Sequence, residues 1–260
     1  MSQIINQTES NLLREDRIKA LYVGWTDNRP NPDFPIWIPI YRMSWDNQGK
    51  FYYSYTYGFK NNLDRLKSKI VNPDCGFNQT WATPHIDPII SSRIPHRPDS
   101  MKQYDLLGLE DKKGDFIAYL ARSGGLSATD NYDVFPEVSP SPLGYYHFYF
   151  PLFGLATKIR QGNDLVRKIA DSLTLTSQLS LKRTLLTTFV IANNEEIGQI
   201  PNYLHSLVGS KPIPLHLFNI VKINPQDRTY GGRIILSLKI KFRSYPYSRK
   251  KFQPLNPMPF

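Results

Sequence analysis

The sequence predicts a β-rich α+β fold divided into two small domains. Three observations carry this. Short apolar, β-branched and aromatic runs recur along the chain, each bounded by turn residues. The 21 prolines and 13 % aromatic content suit short strands and many turns better than long helices. A stretch with three prolines and no periodicity, FPEVSPSPLG at 135–144, separates residues 1–138 from residues 143–260.

Each element follows from its local pattern. Residues 1–19 read as a polar lead with a short helix. Strand-like runs follow at 21–25, 36–45 and 50–57. The second and third flank Asp46-Asn47-Gln48-Gly49, a turn suited to a hairpin, and alternation places Phe51, Tyr53, Tyr55 and Tyr57 on one face. Residues 61–70 look helical, and a loop bearing Pro, Asn and His runs to about 98. Helices are expected at 99–109 and 115–120, the second stopped by Ala121-Arg122-Ser123-Gly124-Gly125.

Beyond the boundary, 145–150 is an aromatic strand, 163–172 a helix and 173–177 a strand. Residues 184–192 form a strand ending at Asn193-Asn194, which tolerate the positive φ of a tight turn. Residues 197–200 make a brief strand, and Pro201 opens a helix through Val208. The last strands are 214–223 and 233–243, with Gly231-Gly232 turning between them.

Charge is distributed unevenly. The net charge is +10, yet residues 211–260 hold ten Lys and Arg against the single acid Asp227, leaving the first 210 residues nearly neutral. Such asymmetry points to a polyanionic partner, nucleic acid or an anionic membrane surface. The run 233–243 sharpens the point. Its even positions, Ile234, Leu236, Leu238, Ile240 and Phe242, are apolar, while Arg233, Lys239, Lys241 and Arg243 lie on the other face with Ile235 and Ser237. Cations two residues apart on a strand are ~6.5–7 Å from each other, close to the spacing of successive phosphates on a single strand.

Tyr245, Tyr247 and Phe252 follow, interleaved with Arg249, Lys250 and Lys251, the mixture that sequence-tolerant binding of single strands uses. Lys158, Arg160, Lys182 and Arg183 complete the candidate interface. The bland alternative is that these cations solvate the outer face of an amphipathic strand. Membrane binding is disfavoured because the aromatics do not form an amphipathic helix face.

Other chemistries are not supported. No run approaches ~20 apolar residues, and the N-terminus lacks a signal-peptide core. Cys75 is the only cysteine, which fits a reducing cytoplasm and excludes an internal disulfide or thiolate zinc site. His96-Arg97-Pro98-Asp99 lacks the remaining kinase motifs. Arg122-Ser123-Gly124-Gly125 reads as a helix-ending turn ahead of a phosphate cradle. His85, Asp87, Asp64, Asp74 and Asp105 follow no nuclease spacing, and the five histidines never sit at metal-ligand spacing. The expectation is a non-catalytic protein with no cofactor and no metal.

The stretches YYHFYFPLFGLATK (145–158), LVRKIADSLTLTSQL (165–179) and IGQIPNYLHSLV (197–208) resemble the HIRAN domain, with Phe153-Gly154 as its aromatic-plus-glycine turn. The resemblance implies a small OB-like β-barrel with short helices, DNA as the ligand, and an accessory role in bacterial defence or mobile elements. Family members hold the 3′ end of single-stranded DNA with an aspartate from an Asn-Pro-x-Asp-type motif. The matching stretch here, SQLSLKRTLLTTF (177–189), has no Asp, Asn or Pro, and Lys182 and Arg183 stand in that neighbourhood, suited to phosphate.

In the first half, LYVGW (21–25), GKFYYSYTYG (49–58) and LARSGG..ATD..DVFP (120–136) resemble the N-terminal region of bacterial HIRAN proteins. More distantly they resemble the small N-terminal subdomain of HipA-type toxin kinases, which imports no active site. Residues 1–138 are therefore expected to position the protein or bind a partner protein. The rival reading is a protein-interaction adaptor or toxin-neutralising subunit whose basic tail meets an acidic protein surface.

Overall fold

The computed structural model describes residues 18–27, 36–66, 80–95, 101–125, 131–185, 187–208, 217–227, 229, 231–256 and 258. Cys75, Lys211, Arg228, the expected lead helix before Ile18 and the segment His96–Asp99 lie outside them. Two compact units emerge, and both are assembled from separated pieces of chain. The first comprises Met1–Ile94, Gly125–His147 and Lys241–Phe260; the second comprises Pro95–Gly124 and Phe148–Ile240. The units therefore do not follow a division at 138/143. Phe135 to Val138, expected at a linker, are instead strand residues of the first unit.

The first unit is built on strands β1 (Ile18–Asp27), β2 (Ile36–Trp45), β3 (Phe51–Tyr55), β4 (Trp81–Thr83) and β5 (Tyr132–Val138), with short helices α1 (Tyr57–Lys60), α2 (Leu63–Leu66) and α3 (Pro88–Ser91). They form one antiparallel sheet in the order β4-β3-β2-β1-β5. The expected hairpin is present: Trp45 pairs with Phe51, and the Asp46 carboxylate accepts from the backbone N–H of Gln48 and Lys50 across the turn. Tyr53 and Tyr55 are fully buried. Tyr57 leaves the strand because Thr56 accepts from Phe59 N–H and starts α1.

β1 and β5 are buried at nearly every residue, so the clean in/out alternation of a half-exposed strand is lost. The cover on one sheet face is the C-terminal tail, folded as two 3-10 turns at Pro246–Ser248 and Lys250–Phe252. Tyr247 stacks on Tyr22 with ring centroids 5.8 Å apart, and Tyr22 stacks on Phe135 at 5.1 Å. Phe252 meets both Tyr22 and Phe135 edge-on.

Several ionisable groups are buried with this sheet, among them Arg42, Asp133 and Glu137. Arg42 Nε donates to Glu137 at 2.6 Å, and the other Glu137 oxygen accepts from the Tyr245 hydroxyl. Such a pair persists only when its remaining hydrogen-bonding capacity is met, as Tyr245 does here. Asp133 sits opposite Gly24 in the β1–β5 ladder and accepts from the Trp37 indole N–H at 2.9 and 3.1 Å. A Cβ at Gly24 would fall 2.3 Å from that carboxylate, so glycine is needed for the close approach.

The second unit contains α4 (Lys102–Leu106), α5 (Phe116–Ser123), α6 (Leu155–Arg160), α7 (Asp164–Ser172) and α8 (Asn202–Val208). Most of β6 (Tyr145–Pro151) and β11 (Ile234–Lys241) belongs here, together with β7 (Ser180–Arg183), β8 (Thr188–Ala192), β9 (Glu195–Gln199) and β10 (Phe218–Ile223). Capping explains the helix ends. Asp115 accepts from Ala118 N–H, Asn163 accepts from Val166 N–H, and Gly124 ends α5 in the left-handed region. The strand expected at 173–177 does not form. Thr174 and Ser177 hydrogen-bond to each other across a turn there, so their side chains compete with any ladder.

Two sheets are present in this region, β10-β11-β6 and β7-β8-β9, and neither closes into a barrel. The reason is local. The chain leaving β6 pairs Leu152 N–H with Ile234 O on one side and bridges Phe153 to Gln199 on the other, but Gly154 then turns into α6. Among the described residues, the Phe153–Gln199 bridge joins β9 to this stretch of chain. At Gly198 a Cβ would meet Phe153 O at 2.5 Å, so that approach also requires glycine. The barrel is corrected to open antiparallel sheets, while the β-rich mixture of strands and short helices holds.

Candidate nucleic-acid interface

The charged strand behaves as an amphipathic strand should along most of its length. In β11, Leu236, Leu238 and Ile240 are buried, Ser237 and Lys239 are half-buried and Lys241 is exposed. Ile235 departs from the pattern and is buried. The Lys241 ammonium lies 5.7 Å from the centroid of the Tyr145 ring, and Arg243 is exposed. Arg233 is not a surface cation. It is buried, its guanidinium donates to the carbonyls of Asn224 and Pro225, and it pairs with Asp171 at 2.7 Å.

The tail divides the expected set further. Tyr247 is core, stacked on Tyr22, and its hydroxyl donates to Pro136 O at 2.7 Å, which leaves no ring face for a base. Phe252 is fully buried. Tyr245 is half-buried with its hydroxyl on Glu137. Arg249 and Lys250 are exposed, the latter 5.4 Å from the Tyr57 ring centroid. Lys251 is half-buried over Trp37 and Phe252, and burial, aided by the nearby Arg249 charge, pushes its amine down to about 8. The tail therefore supplies cations, while its aromatics are largely spent on the first unit's core.

Within the second unit, α6 divides two hollows. Lys158 lines one of about 420 Å³ together with Asn163, Lys182, Asn194, Glu195 and Glu196. Lys182 is paired with Glu196 at 2.9 Å, so two lysines face two glutamates and the hollow carries no net charge. Arg160 lines the other, larger hollow of about 910 Å³ with Arg167, Asp171, Thr229, Gly231 and Arg233. Here three guanidinium groups face one carboxylate, and that carboxylate is already bonded to Arg233. The larger hollow is the positive one.

No protein-family model, curated protein or solved structure matches this chain.

Arg167 was missed by the sequence reading. It lies on the outer face of α7, whose buried side is Val166, Ile169 and Ala170, so periodicity reports only that it is exposed. Its position beside Arg160 and Arg233 comes from the packing of α6 and α7 with the turn before β11. Arg183 is exposed at the end of β7. Asp87, weighed as an acid–base candidate with His85, accepts from Ile89 N–H as the cap of α3, and burial raises its carboxyl. Among the described residues, no group of three His, Cys, Asp or Glu side chains is placed to hold a metal ion, and no helix is long and apolar enough to cross a membrane.

Proposed function

We propose that the protein binds nucleic acid through backbone phosphates and performs no chemistry on it. The observation that carries this reading is the hollow lined by Arg160, Arg167 and Arg233. A guanidinium presents a planar fork of donors that matches a phosphate; Arg160 and Arg167 offer theirs from exposed helix positions, while the buried Arg233 adds charge from a guanidinium already bonded to Asp171 and two carbonyls. Lys239, Lys241, Arg243, Arg249 and Lys250 add exposed or half-exposed positive charge on their own surfaces. Docking is electrostatic. Base stacking by Tyr247 and Phe252 is dropped from the mechanism, since both are core residues.

DNA is favoured over RNA by the HIRAN resemblance, which we retain as a proposal. Its support is that two of the resembling segments touch. Phe153 of the aromatic-plus-glycine turn exchanges backbone hydrogen bonds with Gln199 of the IGQIP segment, at 2.9 and 3.2 Å. The missing carboxylate between Ser177 and Phe189 argues for backbone binding without recognition of a 3′-hydroxyl end.

The test is a salt series with labelled single- and double-stranded oligonucleotides. Arg160→Gln combined with Arg167→Gln, both on exposed helix faces, is expected to weaken binding roughly 100-fold and to lower the slope of log K against log salt by about 2 units. Thermal unfolding should stay as in the parent protein. Unchanged affinity in this double variant would move the interface elsewhere. Absence of binding by the parent protein at every salt concentration would favour the adaptor reading.

A further inference from the structure

The larger hollow of the second unit holds its cations at two depths. Arg233 is buried, and its guanidinium is committed to Asp171 and to the carbonyls of Asn224 and Pro225. Arg160 and Arg167 line the same hollow from exposed positions. Their own contacts are slight. Arg160 donates from Nε to Ala156 O of its own helix at 3.3 Å, a bond that uses neither terminal nitrogen of its fork. Arg167 meets Asp164 at 3.8 Å, with the two side chains 48 % and 76 % exposed, and a pair so open to water holds its partners weakly. Three arginines against one aspartate leave the lining at +2, and the excess belongs to the two outer guanidiniums.

The hollow offers more than charge. Ala156 and Ile159 of α6 and Pro225 give its lining an apolar part. Its volume of about 910 Å³ is ample for a nucleotide and far more than a bare phosphate fills. The chain leading into Arg233 is fixed, since Asp227 accepts from Gly232 N–H at 2.7 Å and Asn224 Nδ2 donates to both Leu106 O and Gly232 O. A concave site with two available guanidiniums and an apolar wall suits a phosphate that carries an organic group.

We propose that this hollow receives the terminal phosphate of a strand, a monoester, with the attached nucleoside against the apolar part of the lining. The inference rests on the nucleic-acid reading above and says which phosphate the hollow takes. An internal phosphodiester carries one negative charge and continues as chain on both sides, so a strand passing over the hollow stays at the level of its mouth. A terminal phosphate is tethered on one side only and carries nearly two charges at neutral pH. It can therefore enter, and two guanidinium forks answer its two charges. A strand ending in a hydroxyl brings neither the charge nor the acceptors. A free nucleoside monophosphate has the same chemistry, and the experiment separates the two sources.

The test uses the full chain and one labelled single-stranded oligonucleotide in four forms: 5′-phosphate, 3′-phosphate, hydroxyl at both ends, and a closed circle. Anisotropy at one fixed salt concentration should show one phosphorylated form binding about tenfold or more tightly than the hydroxyl-ended and circular forms, and the end that wins gives the polarity. A deoxynucleoside monophosphate should compete with that strand, and the nucleoside should not. Arg160→Gln and Arg167→Gln should each remove most of the preference. Asp164→Asn releases Arg167 from its loose pair and should strengthen binding of the phosphorylated end about twofold. Equal affinity for all four forms overturns the terminal reading and leaves backbone binding standing. A preference that survives in both arginine variants puts the end elsewhere and overturns the assignment to this hollow. Binding of the mononucleotide with no binding of any strand gives the hollow to a free nucleotide and overturns the strand end together with the nucleic-acid reading. No binding of any form overturns that reading as well.

Discussion

A chain ending at Ser244 is expected to lose the cooperative unfolding of its first unit. The deleted residues include Tyr247 and Phe252, 2 % and 0 % exposed, which close one face of the β1–β5 part of the sheet. Backbone bonds go with them: Tyr57 N–H loses Gln253 O, and Leu255 N–H no longer reaches Tyr55 O. Glu137 also loses the Tyr245 hydroxyl, leaving the buried pair with Arg42 short of a partner. Truncating one buried aromatic to alanine typically costs about 3–5 kcal/mol, and whole domains are stable by only about 5–15 kcal/mol.

Phe252→Ala and Tyr247→Ala should each lower stability by about 3–5 kcal/mol, read from urea unfolding followed by circular dichroism. Their sum approaches the stability of the unit, so the truncated chain should show a broad, non-cooperative transition. A truncated protein that melts within a few degrees of the full chain would show that the tail is an appendage. The same reasoning bears on fragments. A piece beginning near Leu143 would carry Tyr247 and Phe252 without the sheet they cover, and residues 1–138 would lack their cover. Neither piece is expected to fold alone.

Stability should fall as pH rises from about 5 to about 8, and Asp133 should be a main cause. Burial pushes its carboxyl up to about 7; the Trp37 indole and the Arg93 charge pull the other way without prevailing. In the unfolded chain the same group titrates near 3.9. Between those values the folded state holds one proton more than the unfolded state, so the contribution is fully present below about 4. It is lost as pH climbs to about 7 and is constant above. A difference of about 3 pH units corresponds to roughly 4 kcal/mol as an order of magnitude.

Asp133→Asn keeps an oxygen for the indole N–H and cannot ionise. The variant should therefore be more stable than the parent at pH 8 by a few kcal/mol, and the gap should close toward pH 5. Other titrating groups are common to both proteins and cancel in the difference. Parallel stability curves from pH 5 to 8 would mean that Asp133 ionises in the folded protein at little cost.

Legibility in the sequence tracked the range of the interaction. The Asp46–Gly49 hairpin, the helices expected at 115–120 and 163–172, the stop at Gly124 and the Asn193-Asn194 turn were all readable, because each is decided within a few residues. The strand at 173–177 was misread because Thr174 and Ser177 look extended by propensity yet bond to each other. Leu185 was readable only as part of a strand; its exposure became evident once Thr184 and Thr187 were seen to close the turn beneath it.

By itself, the sequence determined the strand-and-short-helix character, the alternation of β11 and the excess positive charge, since period and composition are local properties. Only the tertiary structure decided which cations meet and which aromatics are available. Tyr245 to Phe252 carry the same interleaving of rings and charges whether the rings stack on bases or on Tyr22 and Phe135, and nothing within the segment distinguishes the two. Likewise Arg160, Arg167 and Arg233 come from two helices and a strand boundary, so their convergence exists only after the second unit has folded. The physical reason is the same in both cases. Burial is settled by partners distant in sequence, and a short-range pattern records what a residue offers without recording what it meets.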